Sequence, residues 1–192
     1  MTIAKLLAFQ KIYATPFPIV QQLSRLKNDL EAADNIVIKV GTGSGKSTIV
    51  PPYLVCLGYK KVYVTQPRRM ACRRIYEYVS QNFGYNFTGY SYSGYSKNDN
   101  SPLQYITDGL LKEVLYRNIN FIKDIDILMI DEIHERTKNI DFILAYISHL
   151  RKVKPTLKVI LCSATVNEDL INVINSGNNR TFDVKVRSYP VT

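Results

Sequence analysis

Apolar residues fall in short unbroken runs separated by longer amphipathic stretches. The runs at residues 36–40, 62–65, 103–107, 125–130 and 157–162 show little polar alternation, as strands buried on both faces require. Between them, residues 46–57, 69–83, 109–117, 140–152 and 167–175 place apolar positions at helical spacing and predict helices. This alternation predicts an α/β fold with a mostly parallel sheet and helices on both faces. In such folds the functional loops gather at the carboxyl ends of the strands. A leading helix is predicted within residues 17–33, and residues 1–15 form an N-terminal extension to which the pattern assigns nothing. Gly, Tyr, Asn and Ser crowd residues 84–101, which predicts a turn-rich loop or hairpin.

Composition narrows the picture. The chain has 192 residues, 46% hydrophobic and 21% charged, which suits one folded domain over residues 16–192 and excludes a disordered tail. No apolar run approaches the roughly 18–20 residues that span a bilayer, and the opening MTIAKLLAF lacks a long apolar stretch with a cleavage site. The expectation is therefore an intracellular protein, cytoplasmic or nuclear, cellular or viral, without a membrane segment. Cys56, Cys72 and Cys162 are odd in number and far apart, which fits a reducing compartment rather than a disulfide framework. The net charge of +9 and a pI near 9.4 open polyanions as partners without specifying one.

Two segments carry chemistry. After the run at residues 36–40 come Gly41, Thr42, Gly43, Ser44, Gly45, Lys46, Ser47 and Thr48, followed by a helical stretch. A strand, a glycine-rich turn and a helix in that order make a phosphate loop, in which backbone N–H groups and the positive helix end face a polyphosphate. Lys46 is then expected on the β and γ phosphates, and Ser47 supplies a hard oxygen for Mg²⁺. The loop departs from the general pattern at Val40, where a glycine is usual. The run at residues 125–130 leads into Asp131, Glu132, Ile133 and His134. An aspartate there can hold Mg²⁺ through water, and the following glutamate can orient or deprotonate the water that attacks the γ-phosphate.

With these residues in view, the chain from about Phe17 to its end resembles the DEAH-box group of superfamily 2 RNA helicases. Residues 42–47 look like the family's motif I, Thr65-Gln-Pro-Arg-Arg69 like motif Ia, and Thr107-Asp-Gly109 like motif Ib. Residues 131–137 are similar to motif II, with Ile133 where the name-giving alanine stands, and Ser163-Ala-Thr165 is similar to motif III. The resemblance implies a RecA-like P-loop NTPase domain that uses ATP or another NTP with Mg²⁺. It implies that Lys46, Asp131, Glu132 and His134 serve catalysis and that Ser47, Asp131 and Glu132 surround the metal. Arg68, Arg69, Thr107 and Asp108 would line the path of single-stranded RNA, or of a duplex with an overhang. Ser163 and Thr165 would couple nucleotide state to strand movement.

Against the family pattern, Val40 and Gly41 replace a glycine and a glutamate, and Tyr78 stands where an arginine commonly stacks on the nucleobase, with Arg73 and Arg74 as competing candidates. The resemblance covers the first RecA-like domain only. A second RecA domain, in cis or in trans, would bring the arginine fingers, so these residues by themselves are expected to bind ATP and hydrolyse it weakly. Two other readings stay open from the sequence: a non-catalytic nucleotide- or RNA-binding regulatory module, and a DNA-directed helicase.

Overall fold

The computed structural model describes residues 2–41, 43–164 and 178–183. Its strands are β1 (Asn35–Lys39), β2 (Val62–Gln66), β3 (Thr88–Tyr92), β4 (Tyr95–Lys97), β5 (Leu103–Thr107), β6 (Ile127–Ile130), β7 (Lys158–Ser163) and β8 (Asn179–Asp183). Its α-helices are α1 (Ile3–Tyr13), α2 (Leu23–Ala32), α3 (Lys46–Leu57), α4 (Arg69–Phe83), α5 (Asp108–Arg117) and α6 (Lys138–Val153). The strands form one sheet in the order β4-β3-β5-β2-β6-β7-β1-β8, parallel throughout except for the β3–β4 pair. The expected α/β architecture with helices on both faces is what the chain adopts.

Alternation along each strand builds a core on either side of the sheet. Ile36, Ile38, Val62, Val64, Ile127, Met129, Ile160 and Cys162 join one cluster, with the apolar faces of α1, α2, α3 and α4. Val37, Tyr63, Leu128, Ile130, Val159 and Leu161 join the other, under α5 and α6. Burial on both faces is why these runs carry no polar alternation. Each fully buried Leu, Ile or Val contributes about 1.5–3 kcal/mol relative to exposure.

Several expectations shift. β1 spans Asn35–Lys39 and β7 spans Lys158–Ser163, each one residue from its predicted position. β6 starts at Ile127 because Ile119–Asp124 coil into a 3-10 helix and the Ile125 N–H closes on the Ile122 carbonyl at 3.0 Å. The single helix predicted within residues 17–33 is two pieces, a 3-10 turn Pro18–Gln22 and then α2. Residues 84–101 do form a hairpin, and its first strand also pairs in parallel with β5, so the hairpin extends the main sheet. Residues 3–13, to which the pattern assigned nothing, form α1, which packs on α3 and α4. The helix predicted at residues 167–175 lies outside the described residues.

Sheet order decides what meets at the carboxyl edge. β7 lies between β1 and β6, so the loops after β1 and β6 converge over its last residue, Ser163. β2 flanks β6 on the other side and β5 follows, bringing Gln66 and Thr107 into register as neighbours.

Candidate nucleotide-binding site

The phosphate loop departs from β1 under two constraints. Gly45 sits at φ 92°, in the left-handed region open to glycine, and a β-carbon there would lie 2.8 Å from Phe17 Cβ. The segment before α2 thus buttresses the loop from below, and the Ile19 N–H also donates to the Ser44 carbonyl at 3.3 Å. Val40, the departure from the usual pattern, is buried in the core under α1–α4, and its N–H donates to the Ser163 carbonyl at 3.1 Å. Gly41 and Gly43 have open space where a β-carbon would stand. Thr42 lies outside the described residues, and Thr48 lies in the first turn of α3.

Lys46 is only 4% exposed, and its Nζ lies 2.7 Å from Glu132 Oε1. The Ser47 hydroxyl donates to Asp131 Oδ2, and the Gln66 side-chain amide donates to the same oxygen at 2.8 Å. Asp131 Oδ1 accepts the Glu132 N–H at 2.9 Å, and the Asp131 N–H donates to Thr65 Oγ1 at 3.3 Å. The structure therefore brings Lys46, Ser47, Asp131 and Glu132 into one cluster, with His134 Nε2 3.4 Å from Glu132 Oε2. Glu132 holds φ 52° and ψ 39°, a left-handed conformation unusual for a residue with a side chain and costing on the order of 1–3 kcal/mol.

Electrostatics follow from burial and proximity. Asp131 is 1% exposed, and burial pushes its carboxyl above the ordinary aspartate value, against the pull of the Lys46 charge and the Ser47 and Gln66 bonds. Burial acts to lower the Lys46 ammonium, but the Asp131 charge and the Glu132 hydrogen bond outweigh it and hold it above the usual lysine value. The cluster thus balances a buried ammonium against two carboxylates. Cys162, buried beneath it, is pushed well above the usual thiol value by burial and by Asp131, so it stays a neutral thiol.

The donor set fits a magnesium nucleotide. Ser47 Oγ and the Asp131 carboxylate converge as hard oxygens, the chemistry Mg²⁺ selects. Ser44 is 1% exposed, and its hydroxyl has no hydrogen-bond partner among the described residues. An orphaned buried donor in a glycine-rich turn fits an anion that would complete it.

The residues expected on the RNA path lie along the same edge in different states. Arg68 and Arg69 are exposed at the N-terminus of α4. The Arg68 guanidinium lies 3.6 Å from Glu135 Oε1, and that of Arg69 lies 5.6 Å from the Tyr92 ring centre. Asp108 is 4% exposed, its Oδ2 accepting the Thr137 hydroxyl at 2.8 Å and its Oδ1 the Gly109 N–H at 2.7 Å, and Thr107 is also buried. Asp108 thus ties the start of α5 to the start of α6 and does not present its carboxylate to solvent. Ser163 is fully buried at the end of β7, and Thr165 lies outside the described residues. Tyr78 sets its ring edge-on to Phe17, 6.4 Å between centres, and so touches the residue that supports Gly45.

Sequence reading missed Gln66, Phe17 and Thr137, which hold this edge in place. Gln66 stands inside the quoted Thr-Gln-Pro-Arg-Arg string, yet its reach to Asp131 depends on β2 lying beside β6. Thr137 caps α6 by accepting the Ile140 N–H at 3.1 Å, a threonine-before-helix signal that was readable in advance.

Comparisons with known proteins bear on this geometry. A family model described as DEAD/DEAH box helicase matches residues 20–173. The probable ATP-dependent RNA helicase DHX34 of Homo sapiens is 35% identical over 180 residues, covering 91% of this chain and 16% of that protein. The ATP-dependent RNA helicase HrpA of Borreliella burgdorferi is 31% identical over 181 residues, covering 91% of this chain and 22% of its own. The crystal structure of the Escherichia coli DEAH/RHA helicase HrpB aligns with a TM-score of 0.83 at 25% identity, covering 91% of this chain and 23% of that one. The chain spans less than a quarter of the length of each of these relatives.

Proposed function

Since the chain belongs to the DEAD/DEAH box helicase family, we propose that it is the first RecA-like, ATP-binding domain of an ATP-dependent RNA helicase. In the complete enzyme it would drive translocation on single-stranded RNA and separation of duplexes. The observation that carries this reading is the convergence of Lys46 and Ser47 from the phosphate loop with Asp131 and Glu132 from the acidic motif.

The pairings suggest how the residues act. Lys46, which pairs with Glu132, would turn its ammonium to the β and γ phosphates of a bound triphosphate. Glu132 would then accept a proton from the attacking water at Oε1 or Oε2, while His134 holds its orientation. Ser47 and Asp131 would hold Mg²⁺, which when bound neutralises phosphate charge. Arg68 and Arg69, with the N-terminal dipole of α4, attract the sugar-phosphate backbone without regard to sequence. Thr107 and Asp108 shape that edge through the Thr137 tie, and Ser163 sits where the two loops meet.

A second RecA domain supplies the transition-state arginines in this reading, so the 192-residue chain binds Mg-ATP and turns it over slowly. The test is ATP binding and ATP hydrolysis side by side, with and without single-stranded RNA. Glu132→Gln should keep binding and lose whatever turnover exists. Full turnover in that variant, or no Mg-ATP binding by the wild type, overturns the proposal.

A further inference from the structure

The helix that opens at Lys46 contains prolines at positions 51 and 52. Proline in a helix interior has no N–H to offer the carbonyl four residues earlier, so Pro51 leaves the Ser47 carbonyl without its helical donor. Ser47 is the residue whose hydroxyl donates to Asp131, so the defect lies on the same residue as that hydroxyl. A buried carbonyl without a partner costs about 1–3 kcal/mol and leaves the first turn free to tilt.

The carbonyl has a partner. Tyr105, at the middle of β5, donates its hydroxyl to Ser47 O at 2.8 Å, across 58 positions of sequence. Its ring is fully buried in the core cluster that also holds Ile49, Val50 and Tyr53 of α3. Burial and the nearby Asp131 charge keep the phenol protonated far above neutral pH, so it remains a donor.

We propose that Tyr105 is a positioning residue of the nucleotide site. Its hydroxyl stands in for the donor that Pro51 lacks and fixes the first turn of α3, so that the Ser47 hydroxyl stays aimed at Asp131, where a divalent cation would sit. The inference rests on the Mg-nucleotide reading above and adds a residue from a strand with no other part in that site. A helical proline and a buried phenol thus meet at one carbonyl.

The pairing predicts a rescue. Tyr105→Phe removes one oxygen and keeps the ring, so the chain should fold with a melting temperature a few degrees lower. Triphosphate affinity measured with Mg²⁺ should fall about tenfold, while affinity in excess chelator, which rests on Lys46 and the loop amides, should change less than about twofold. Adding Pro51→Ala returns an N–H to the Ser47 carbonyl and should restore the Mg²⁺-dependent gain, and Pro51→Ala alone should bind as the wild type does. A role limited to filling the core would lower the melting temperature without touching the Mg²⁺ increment and would not be rescued from position 51. If Tyr105→Phe does not fold, folding and Mg-nucleotide binding recovered by the double variant support the proposal, and their absence overturns it. Unchanged Mg-nucleotide affinity in folded Tyr105→Phe, or no rescue by Pro51→Ala, overturns this proposal alone. A wild-type chain that binds no Mg-nucleotide overturns the functional reading along with it.

Discussion

At the scale of single residues, the site is a charge balance held out of water. Lys46 is stabilised as an ammonium by Asp131 and Glu132, so Lys46→Ala would remove the proposed phosphate contact and leave two buried or half-buried carboxylates without their counter-charge. Nucleotide affinity measured by titration should fall at least about tenfold, the scale of one charge-assisted contact. Asp131 predicts a pH dependence of stability. Its folded-state pKa is raised above the ordinary value of 3.8, so its contribution to stability is fully present below that value and is lost as pH rises through the folded value. The melting temperature of the wild type relative to Asp131→Asn should therefore rise as the pH is lowered from neutrality toward the ordinary aspartate value of 3.8. A flat difference across that window would show that Asp131 does not titrate there. Elsewhere, burial raises Cys56 to about 11 and Cys72 to about 12, so neither is a reactive thiol at neutral pH.

At the scale of elements, helix starts and strand edges set the geometry. Thr137 both caps α6 and holds Asp108 at the start of α5, so Thr137→Ala breaks two bonds at once. A lost cap alone costs about 1 kcal/mol, which corresponds to a fall of roughly 2–4 °C in melting temperature for a domain of this size. The measured drop should exceed that range, because the buried Asp108 carboxylate also loses the Thr137 hydroxyl donor. The β3–β4 hairpin depends on Gly89, where a β-carbon would lie 2.4 Å from the Asn98 carbonyl oxygen. Gly89→Ala should push the returning strand away, and hydrogen exchange at residues 88–97 should accelerate while β1, β6 and β7 keep their protection.

Across the whole molecule, two layers of helix on one sheet place every nucleotide-site loop on a single edge, and the exposed Arg68 and Arg69 share it. With a net charge of +9, non-specific attraction to polyanions is expected anywhere on the surface, so affinity alone does not test the proposed RNA path. The salt slope can. Replacing Arg68 and Arg69 by alanine should reduce the slope of log affinity against log salt by about 1 per arginine for single-stranded RNA. An unchanged slope would remove them from the path. Joining this chain to a second RecA domain that supplies an arginine finger should raise ATP turnover by about 10³–10⁵, the effect of such a finger in comparable nucleotidases.

Much of this was legible in the linear sequence. Strands buried on both faces leave unbroken apolar runs, and strand, glycine turn and helix leave a phosphate-loop string, so β1, β2, β5, β6, β7 and the helices α3, α4, α5 and α6 stood near their true bounds. α1 did not, because its apolar residues point both ways: Ala8 and Ile12 are buried while Ile3, Leu6 and Leu7 are exposed. β8 was hidden for the opposite reason, since Asn-Arg-Thr-Phe-Asp carries a single core residue, Phe182, and gains its strand state only by pairing with β1. The types of Lys46, Ser47, Asp131 and Glu132 marked them as candidates because few side chains suit the roles proposed for them. Sequence alone thus picked out the side chains that meet at this site, Lys46, Ser47, Asp131 and Glu132, through local strings whose geometry the backbone fixes nearby. Tertiary structure decided who holds those atoms in place: Phe17 beneath Gly45, Gln66 on Asp131, and Tyr105 on the carbonyl that Pro51 leaves open. Such partners come from other strands and helices, and only the order of strands in the sheet brings them within bonding distance.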